Sequence, residues 1–328
     1  MSTDVTAAER LGVHHLKRFW STTLSGTRKN EEWATDNTLL CGLRVGLRET
    51  FDYLFQQRPS FSEFELWILK KNGGFISPAR IESLNVALSQ SGILGRPADP
   101  NAEPVLTAAD LACWDRNGYV ILHDAVPPEN CHAAVAAICA FLGVRLSHPE
   151  TWYGGPQGHS IWIPLLHHRA LWANRDSPRI HRAFAQLWGR EDLWSSVDQT
   201  GFNPPERSGW KFPGPHLHWD VSLAQPIPFG VQGILYLTDT AADQGAFTCV
   251  PGFHRRIDSW LESLPAGADP RKQDLSSLAI PIPGRAADLV IWRHELPHGG
   301  SPNRASLPRI VQYIRKYPSY WEYNPVWR

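Results

Sequence analysis

The sequence predicts an α+β fold with a mainly β core, helices packed outside that core and a helical N-terminal extension. Apolar residues recur at helical intervals in the first part of the chain, whereas short apolar runs bounded by Gly and Pro dominate after Trp194. Hydrophobic residues make up 42% of the 328 residues and charged residues 20%, which is typical of globular proteins. Helices followed by strands favour a β barrel with helices packed against it.

Residues 1–105 are predicted to form the helical extension. Apolar side chains recur at helical spacing in residues 39–47 and 61–69. The Gly, Pro and Asp residues of segment 92–104 predict a linker. We therefore expect the second domain, which contains the strands, to cover residues 106–328.

Helix boundaries are predicted by residues that cap or interrupt helices. The predicted helix starts lie at Ser60 or Ser62, at Pro78, at Thr107, at Pro128 and at Pro178. The predicted ends of the last three helices lie at Gly118, Gly143 and Gly189.

Short apolar runs between turn residues predict the strands of the core. The first is a strand at residues 119–122, between the helices. The later predicted strands are residues 195–202, 216–223, 230–237, 246–250, 289–292 and 309–317.

Composition restricts the classes of partner. The net charge is zero and no Lys/Arg run is interleaved with aromatic residues, so we expect no nucleic acid partner. No apolar run approaches the roughly 20 residues that span a bilayer, and residues 1–6 lack a secretory pattern, so we expect a cytoplasmic protein. The five cysteines form no CxxC pair and are interpreted as reduced and structural. A small molecule is the expected partner, and the oligomeric state stays open.

His218 and Asp220 are the first candidate site residues. In an extended strand, alternate side chains share a face, so this imidazole and this carboxylate would point the same way. A distant histidine, His298, can complete a set of two histidines and one carboxylate. Such a set with open positions is diagnostic of non-heme Fe(II) oxygenases.

Two other histidines compete for the metal. His216 shares the parity of His218, which would give a site with three histidines and leave Asp220 without a role. His294 shares the parity of His298 and has Arg304 ten residues further on. We favour His298, because Pro297 before it and Gly299 after it place it at the end of a strand.

Several of these motifs together resemble the phytanoyl-CoA dioxygenase family of Fe(II)/2-oxoglutarate oxygenases, over about residues 106–318. In chain order the motifs are residues 106–122, His218-Trp219-Asp220, residues 244–247, residues 250–254, His298-Gly299 and Arg309. The resemblance implies a double-stranded β-helix, that is, a jelly-roll or cupin-like fold.

The resemblance also implies functional roles. His218, Asp220 and His298 would be the catalytic metal ligands, and Arg309 would hold the distal carboxylate of 2-oxoglutarate. A guanidinium offers a planar fork that suits a carboxylate. Tyr236, on a predicted strand, is a further candidate contact for this cosubstrate.

The implied reaction uses Fe(II), 2-oxoglutarate and O2 to hydroxylate a C–H bond of a small molecule, with release of succinate and CO2. Two alternatives stay open: a cupin-like metalloenzyme that does not use 2-oxoglutarate, and a non-catalytic ligand-binding barrel. Hydrolase, dinucleotide-binding and P-loop motifs are absent from the sequence.

Overall fold

The computed structural model describes residues 10–89, 96–99, 102–154 and 161–328. The chain forms two compact units, of which the first also takes in two later segments. The first unit consists of residues 1–99, 189–197 and 317–325, and the second of residues 100–188, 198–316 and 326–328. The predicted boundary after residue 105 stays a prediction. The predicted linker at 92–104 and the N-terminal residues 1–6 lie partly or wholly outside the described residues.

Helices and strands alternate irregularly along the described chain. The α-helices are α1 (Leu16–Ser25), α2 (Trp33–Gly42), α3 (Leu47–Gln57), α4 (Phe61–Lys71), α5 (Pro78–Ser89), α6 (Ala108–Asn117), α7 (Pro128–Leu142), α8 (Arg169–Arg175), α9 (Pro178–Trp188) and α10 (Ile257–Ser263). The strands are β1 (Tyr119–Leu122), β2 (Trp162–Ile163), β3 (Leu193–Ser195), β4 (Thr200–Asn203), β5 (Val231–Tyr236), β6 (Phe247–Cys249), β7 (Ile280–Ile282), β8 (Leu289–Arg293), β9 (His298–Gly299), β10 (Arg309–Ile314) and β11 (Lys316–Pro318). Among the described residues, no helix has the length and apolar character needed to cross a bilayer.

The first unit is built mainly from α1 to α5. Phe19, Leu54 and Phe64 are fully buried in its core, since the apolar stripes of the helices face one another. Ser60 caps α4 in a capping box with Glu63, which confirms one of the two predicted cap positions.

Helices α6, α7 and α9 begin and end where their flanking residues predict, whereas α8 and α10 were not predicted. Thr107 and Asp110 form a capping box at the start of α6. Gly118 and Gly143 end α6 and α7 with φ angles of 76° and 69°, a left-handed conformation that glycine adopts without strain. The predicted ends of these helices are confirmed.

Two antiparallel sheets form the core of the second unit. The larger has six strands in the order β1-β8-β5-β10-β4-β2, and the smaller has three in the order β7-β6-β9. β3 and β11 form a separate two-stranded sheet. Mixed helices and antiparallel sheets confirm the predicted α+β class.

The two larger sheets share one apolar cluster. Tyr236 and Trp292 from the six-stranded sheet pack with Phe247 and Ile282 from the three-stranded sheet. On the opposite face of β10, the Gln312 side chain bonds to Asn174 and to the backbone carbonyl of Leu171, in α8. β10 is therefore covered on both faces, which explains its nearly continuous burial.

Three strand predictions need correction. The predicted strand at 195–202 is divided between β3 and β4, and the predicted strand at 309–317 is interrupted between β10 and β11. The predicted strand at 216–223 is wrong, because within it only His218 makes a β-bridge, with His298.

Gly299 allows the segment of His298 to approach the segment of His218. The backbone N–H of His218 donates to the carbonyl of His298 at 2.9 Å, and the reverse bond measures 3.0 Å. A Cβ atom at Gly299 would lie 2.5 Å from the carbonyl oxygen of His216. Rotation of a side chain cannot relieve a clash with backbone, so this pairing requires glycine.

We predict that Gly299→Ala lowers the free energy of unfolding by about 1–3 kcal/mol, the usual cost of forcing extra atoms into a packed site. Chemical denaturation followed by circular dichroism measures this change. Gly154→Ala is the matched control, because no described atom lies within 4 Å of a Cβ there. Equal stability of the two variants would contradict the close pairing at Gly299.

Candidate metal centre

The structure brings His218, Asp220 and His298 together. Nε2 of His218 lies 3.2 Å from Oδ1 of Asp220, and Nε2 of His298 lies 3.5 Å from Oδ2 of the same carboxylate. One ligand atom from each residue fits within 4.8 Å of the others, and this is the one such group of three among the described residues. The three predicted metal ligands are therefore neighbours.

Hydrogen bonds to the backbone fix which ring nitrogen can bind a metal. Nδ1 of His218 bonds to the carbonyl of His216 at 2.7 Å, and Nδ1 of His298 bonds to the carbonyl of Leu296 at 3.0 Å. A carbonyl oxygen only accepts, so each Nδ1 donates its hydrogen. In a neutral imidazole that donates from Nδ1, Nε2 carries the lone pair that coordinates a metal, whereas in the protonated ring Nε2 donates to Asp220 instead.

The carboxylate of Asp220 is ionised. Burial alone would raise its pKa, but the hydrogen bonds and charges of His218 and His298 outweigh burial and hold the pKa far below its usual range. Burial lowers the pKa of His218, whereas its hydrogen bond to Asp220 and the charge of that carboxylate raise it more, and the pKa is raised overall. Asp220 therefore offers an anionic ligand.

The donor set fits a divalent metal ion with open positions. Ligand bonds of about 2.1 Å at right angles place neighbouring donor atoms about 3 Å apart, and each Nε2 lies 3.2 or 3.5 Å from one oxygen of Asp220. The side chain of Asp220 is 42% exposed and that of His218 is 30% exposed, so further ligands can reach an ion from solvent. His298 is buried against the rings of Trp292 and Phe247.

Hydrogen bonds to backbone carbonyls hold the loop that carries Asp220 in place. Arg271 donates from Nη1 to the carbonyl of Trp219 at 2.8 Å and from Nη2 to the carbonyl of Val221. The indole N–H of Trp219 donates to the carbonyl of Glu295 at 3.0 Å, and its ring is buried. These bonds replace the strand that the sequence predicted at this place.

Gln232 is a site residue that the sequence reasoning missed. Its amide nitrogen lies 2.9 Å from Oδ2 of Asp220, and the side chain is buried in the middle of the six-stranded sheet. Period-two parity with Tyr236 would have pointed to it, because alternate residues of one strand share a face.

The two rival histidines lie outside the cluster. The ring of His216 is exposed and packs edge-on against Phe212, with 5.6 Å between ring centroids. His294 is buried, and burial lowers its pKa to about 3, so the imidazole is neutral. Its Nε2 is buried and has no hydrogen-bond partner in the described part of the chain.

Arg309 is a buried cation at the start of β10. It is 1% exposed, and its Nε and Nη2 atoms are buried without a hydrogen-bond partner among the described residues. On the same face of the sheet lie Val311 and Tyr313. Arg304, the alternative arginine, is exposed.

Tyr236 is fully buried near Arg309. Burial raises the pKa of Tyr236, and the charge of Arg309 opposes this rise. The phenol donates to the carbonyl of Ile282 at 2.6 Å and accepts from the N–H of Phe247 at 3.0 Å. The hydroxyl already makes two backbone bonds, and its contact with a cosubstrate stays a prediction.

Comparisons with known proteins found several similar chains. A Dictyostelium discoideum protein that carries the name of a phytanoyl-CoA dioxygenase is 22% identical over 259 residues, which cover 63% of this chain and 74% of that protein. The solved structure of AviO1 from Streptomyces viridochromogenes is 18% identical with a TM-score of 0.46, covering 66% of this chain and 96% of AviO1. EctD from S. alaskensis, solved with 2-oxoglutarate and 5-hydroxyectoine, is 17% identical with a TM-score of 0.46, covering 69% and 83% of the two chains.

The family comparison spans more than half of the chain. The sequence model of the phytanoyl-CoA dioxygenase family matches residues 114–311. This stretch contains the three clustered residues, Gln232 and Arg309. The chain therefore belongs to the phytanoyl-CoA dioxygenase family.

Proposed function

We propose that this protein is an Fe(II)/2-oxoglutarate-dependent dioxygenase that hydroxylates a C–H bond of a small molecule. The observation that carries the proposal is the cluster of two imidazole Nε2 atoms and one carboxylate, partly open to solvent. Two histidines and one carboxylate with open positions suit non-heme Fe(II). Membership of the phytanoyl-CoA dioxygenase family supports the same class.

We also propose that the two larger sheets form a double-stranded β-helix. Their strands are antiparallel, and they share one apolar cluster that includes Trp292 and Phe247. The cluster of His218, Asp220 and His298 lies beside this core, because His298 packs against both rings. A ligand site at the mouth of such a barrel is a common arrangement.

In the proposed site, His218, Asp220 and His298 hold the iron. Fe(II), bound there, would supply the chemistry by which O2 oxidises 2-oxoglutarate to succinate and CO2 and hydroxylates the substrate. The protein orients the ligand atoms: backbone carbonyls hold the two imidazoles, and Arg271 holds the loop of Asp220. Trp292 and Phe247 exclude water from the side of His298.

Arg309 is proposed to bind the distal carboxylate of 2-oxoglutarate. A buried charge without a partner is costly, so the site favours an anion that reaches the guanidinium. Nε and Nη2 are both unpaired, and together they can form the bidentate pair that a carboxylate accepts. Tyr236 would form a neighbouring wall of this pocket.

We predict that His218→Ala, Asp220→Ala and His298→Ala each abolish tight Fe(II) binding, because each removes one of three protein ligands. Anaerobic Fe(II) titration measures the affinity, and circular dichroism checks that the variants fold. His216→Ala is the matched control, since it removes an exposed histidine from the same segment. Loss of metal in His216→Ala, or its retention in His298→Ala, would contradict the assignment.

For Arg309, we predict that Arg309→Ala weakens 2-oxoglutarate binding roughly 10- to 100-fold, since charge-assisted hydrogen bonds contribute about 1.5–3 kcal/mol. Arg309→Lys recovers only part of the affinity, because an ammonium lacks the planar fork. The measurement is an anaerobic titration of the Fe(II)-loaded protein with 2-oxoglutarate. Arg304→Ala is the control and keeps the wild-type affinity; a larger loss there than in Arg309→Ala would move the role to Arg304.

The reaction class is tested by turnover. Fe(II)-loaded protein incubated with 2-oxoglutarate and O2 releases succinate and CO2, and the Asp220→Ala variant does not. A protein that binds iron yet forms no succinate with any substrate of a small-molecule panel would instead fit a cupin-like metalloenzyme that does not use 2-oxoglutarate. A protein that binds no metal would fit a non-catalytic barrel.

A further inference from the structure

We infer that Gln232 is a positioning residue that keeps Asp220 bound to the metal through one oxygen only. The inference rests on the proposed function, because it assigns a role toward the metal that His218, Asp220 and His298 would hold. Gln232 is not one of the proposed ligands and lies on β5, whereas His298 lies on β9.

The contact is a hydrogen bond of defined direction. Nε2 of Gln232 lies 2.9 Å from Oδ2 of Asp220. An ionised carboxylate has no hydrogen to donate, so the amide NH2 group must face it. Gln232 therefore adds a hydrogen bond to Oδ2, which also lies 3.5 Å from Nε2 of His298. Oδ1, which faces Nε2 of His218 at 3.2 Å, receives no bond from this amide and is the oxygen that we assign to the ion.

The position of Gln232 is fixed by the sheet. It is 3% exposed on β5, a strand that is buried along its whole length between β8 and β10. Its cross-strand partner on β8 is Trp292, whose ring centroid lies 5.0 Å from that of His298. Gln232 thus contacts Asp220, and its cross-strand neighbour Trp292 contacts His298.

Binding through one oxygen matters for the number of open positions. An octahedral ion with three protein ligand atoms has three further positions, which 2-oxoglutarate, as a chelate, and O2 would fill. A carboxylate can also bind a metal through both oxygens. If Asp220 did so, one open position would be lost, and the chelate and O2 could not bind together.

Gln312 offers a contrast within the same sheet. It is also a buried glutamine, on the adjacent strand β10, but its amide bonds to Asn174 and to the carbonyl of Leu171 in α8. Its role is to join the sheet to a helix. Replacement of Gln312 therefore reports the cost of losing a buried amide that does not touch a proposed ligand.

The test compares Gln232→Met with Gln312→Met, which remove the amide and keep a similar volume. Co(II) is the first probe, because its visible absorption depends on the number and geometry of its ligands. We expect Gln232→Met to bind Co(II) about 10- to 100-fold more weakly than wild type, the usual effect of losing a partner of a metal ligand, and to change the absorption spectrum. Gln312→Met keeps the affinity and the spectrum of wild type.

Two further measurements separate positioning from general destabilisation. Gln232→His places a ring N–H near the lost amide nitrogen, and we expect it to recover most of the Co(II) affinity. At saturating Fe(II), Gln232→Met is expected to bind 2-oxoglutarate about 10-fold more weakly than Gln312→Met. If Gln232→Met does not fold, the smaller Gln232→Leu replaces it in both titrations.

The outcomes distinguish the inference from the proposed function. Equal Co(II) affinity and identical spectra in wild type and Gln232→Met would overturn the inference and leave the proposed function intact. A wild-type protein that binds Co(II) and Fe(II) but not 2-oxoglutarate would overturn the proposed function, while the Co(II) comparison would still decide the role of Gln232. A wild-type protein that binds neither metal would overturn both.

Discussion

The backbone bridge between His218 and His298 is the constraint on which the site depends. It joins two segments about 80 residues apart in sequence, and neither segment forms a long strand that would hold its histidine alone. Two reciprocal hydrogen bonds fix the distance between the backbones, and Gly299 provides the space that this distance requires. The spacing of the two imidazoles follows from the bridge, and Asp220 follows two residues later.

Around this bridge, hydrogen bonds determine which atoms remain available. The carbonyl groups of His216 and Leu296 accept hydrogen bonds from Nδ1 of the two site histidines. The amide of Gln232 donates to Oδ2 of Asp220. The two Nε2 atoms and the carboxylate of Asp220 face one another, at 3.2 Å for His218 and 3.5 Å for His298. The ligand atoms of His218, Asp220 and His298 lie close enough together to share one metal ion. The neutral imidazole of His294 lies outside this group.

The sequence predicted the α+β class, the boundaries of α6, α7 and α9 and the residues of the cluster, because these depend on local signals. The stretch at 39–47, expected to be helical throughout, is instead interrupted between α2 and α3. Capping residues such as Thr107 act within a few positions, and the motif around His218 carried a family resemblance. The extended segment at 216–223 was predicted wrongly, since its shape depends on Arg271 and Trp219 and not on its own pattern. Gln232 was missed for a related reason: its partner is twelve residues away and becomes a neighbour only through the fold.

Tyr236 links the six-stranded sheet to the three-stranded sheet by hydrogen bonds. Its phenol extends from β5 and bonds to the backbone of both β6 and β7, so the ring is fixed between the two sheets. Backbone groups of β6 and β7 thus hold this ring in place. Arg309 is already buried in the folded chain, so the electrostatic cost of removing its charge from water falls on folding. An anion that pairs with Arg309 in the native state and not in the unfolded chain would raise the melting temperature of the protein even without metal.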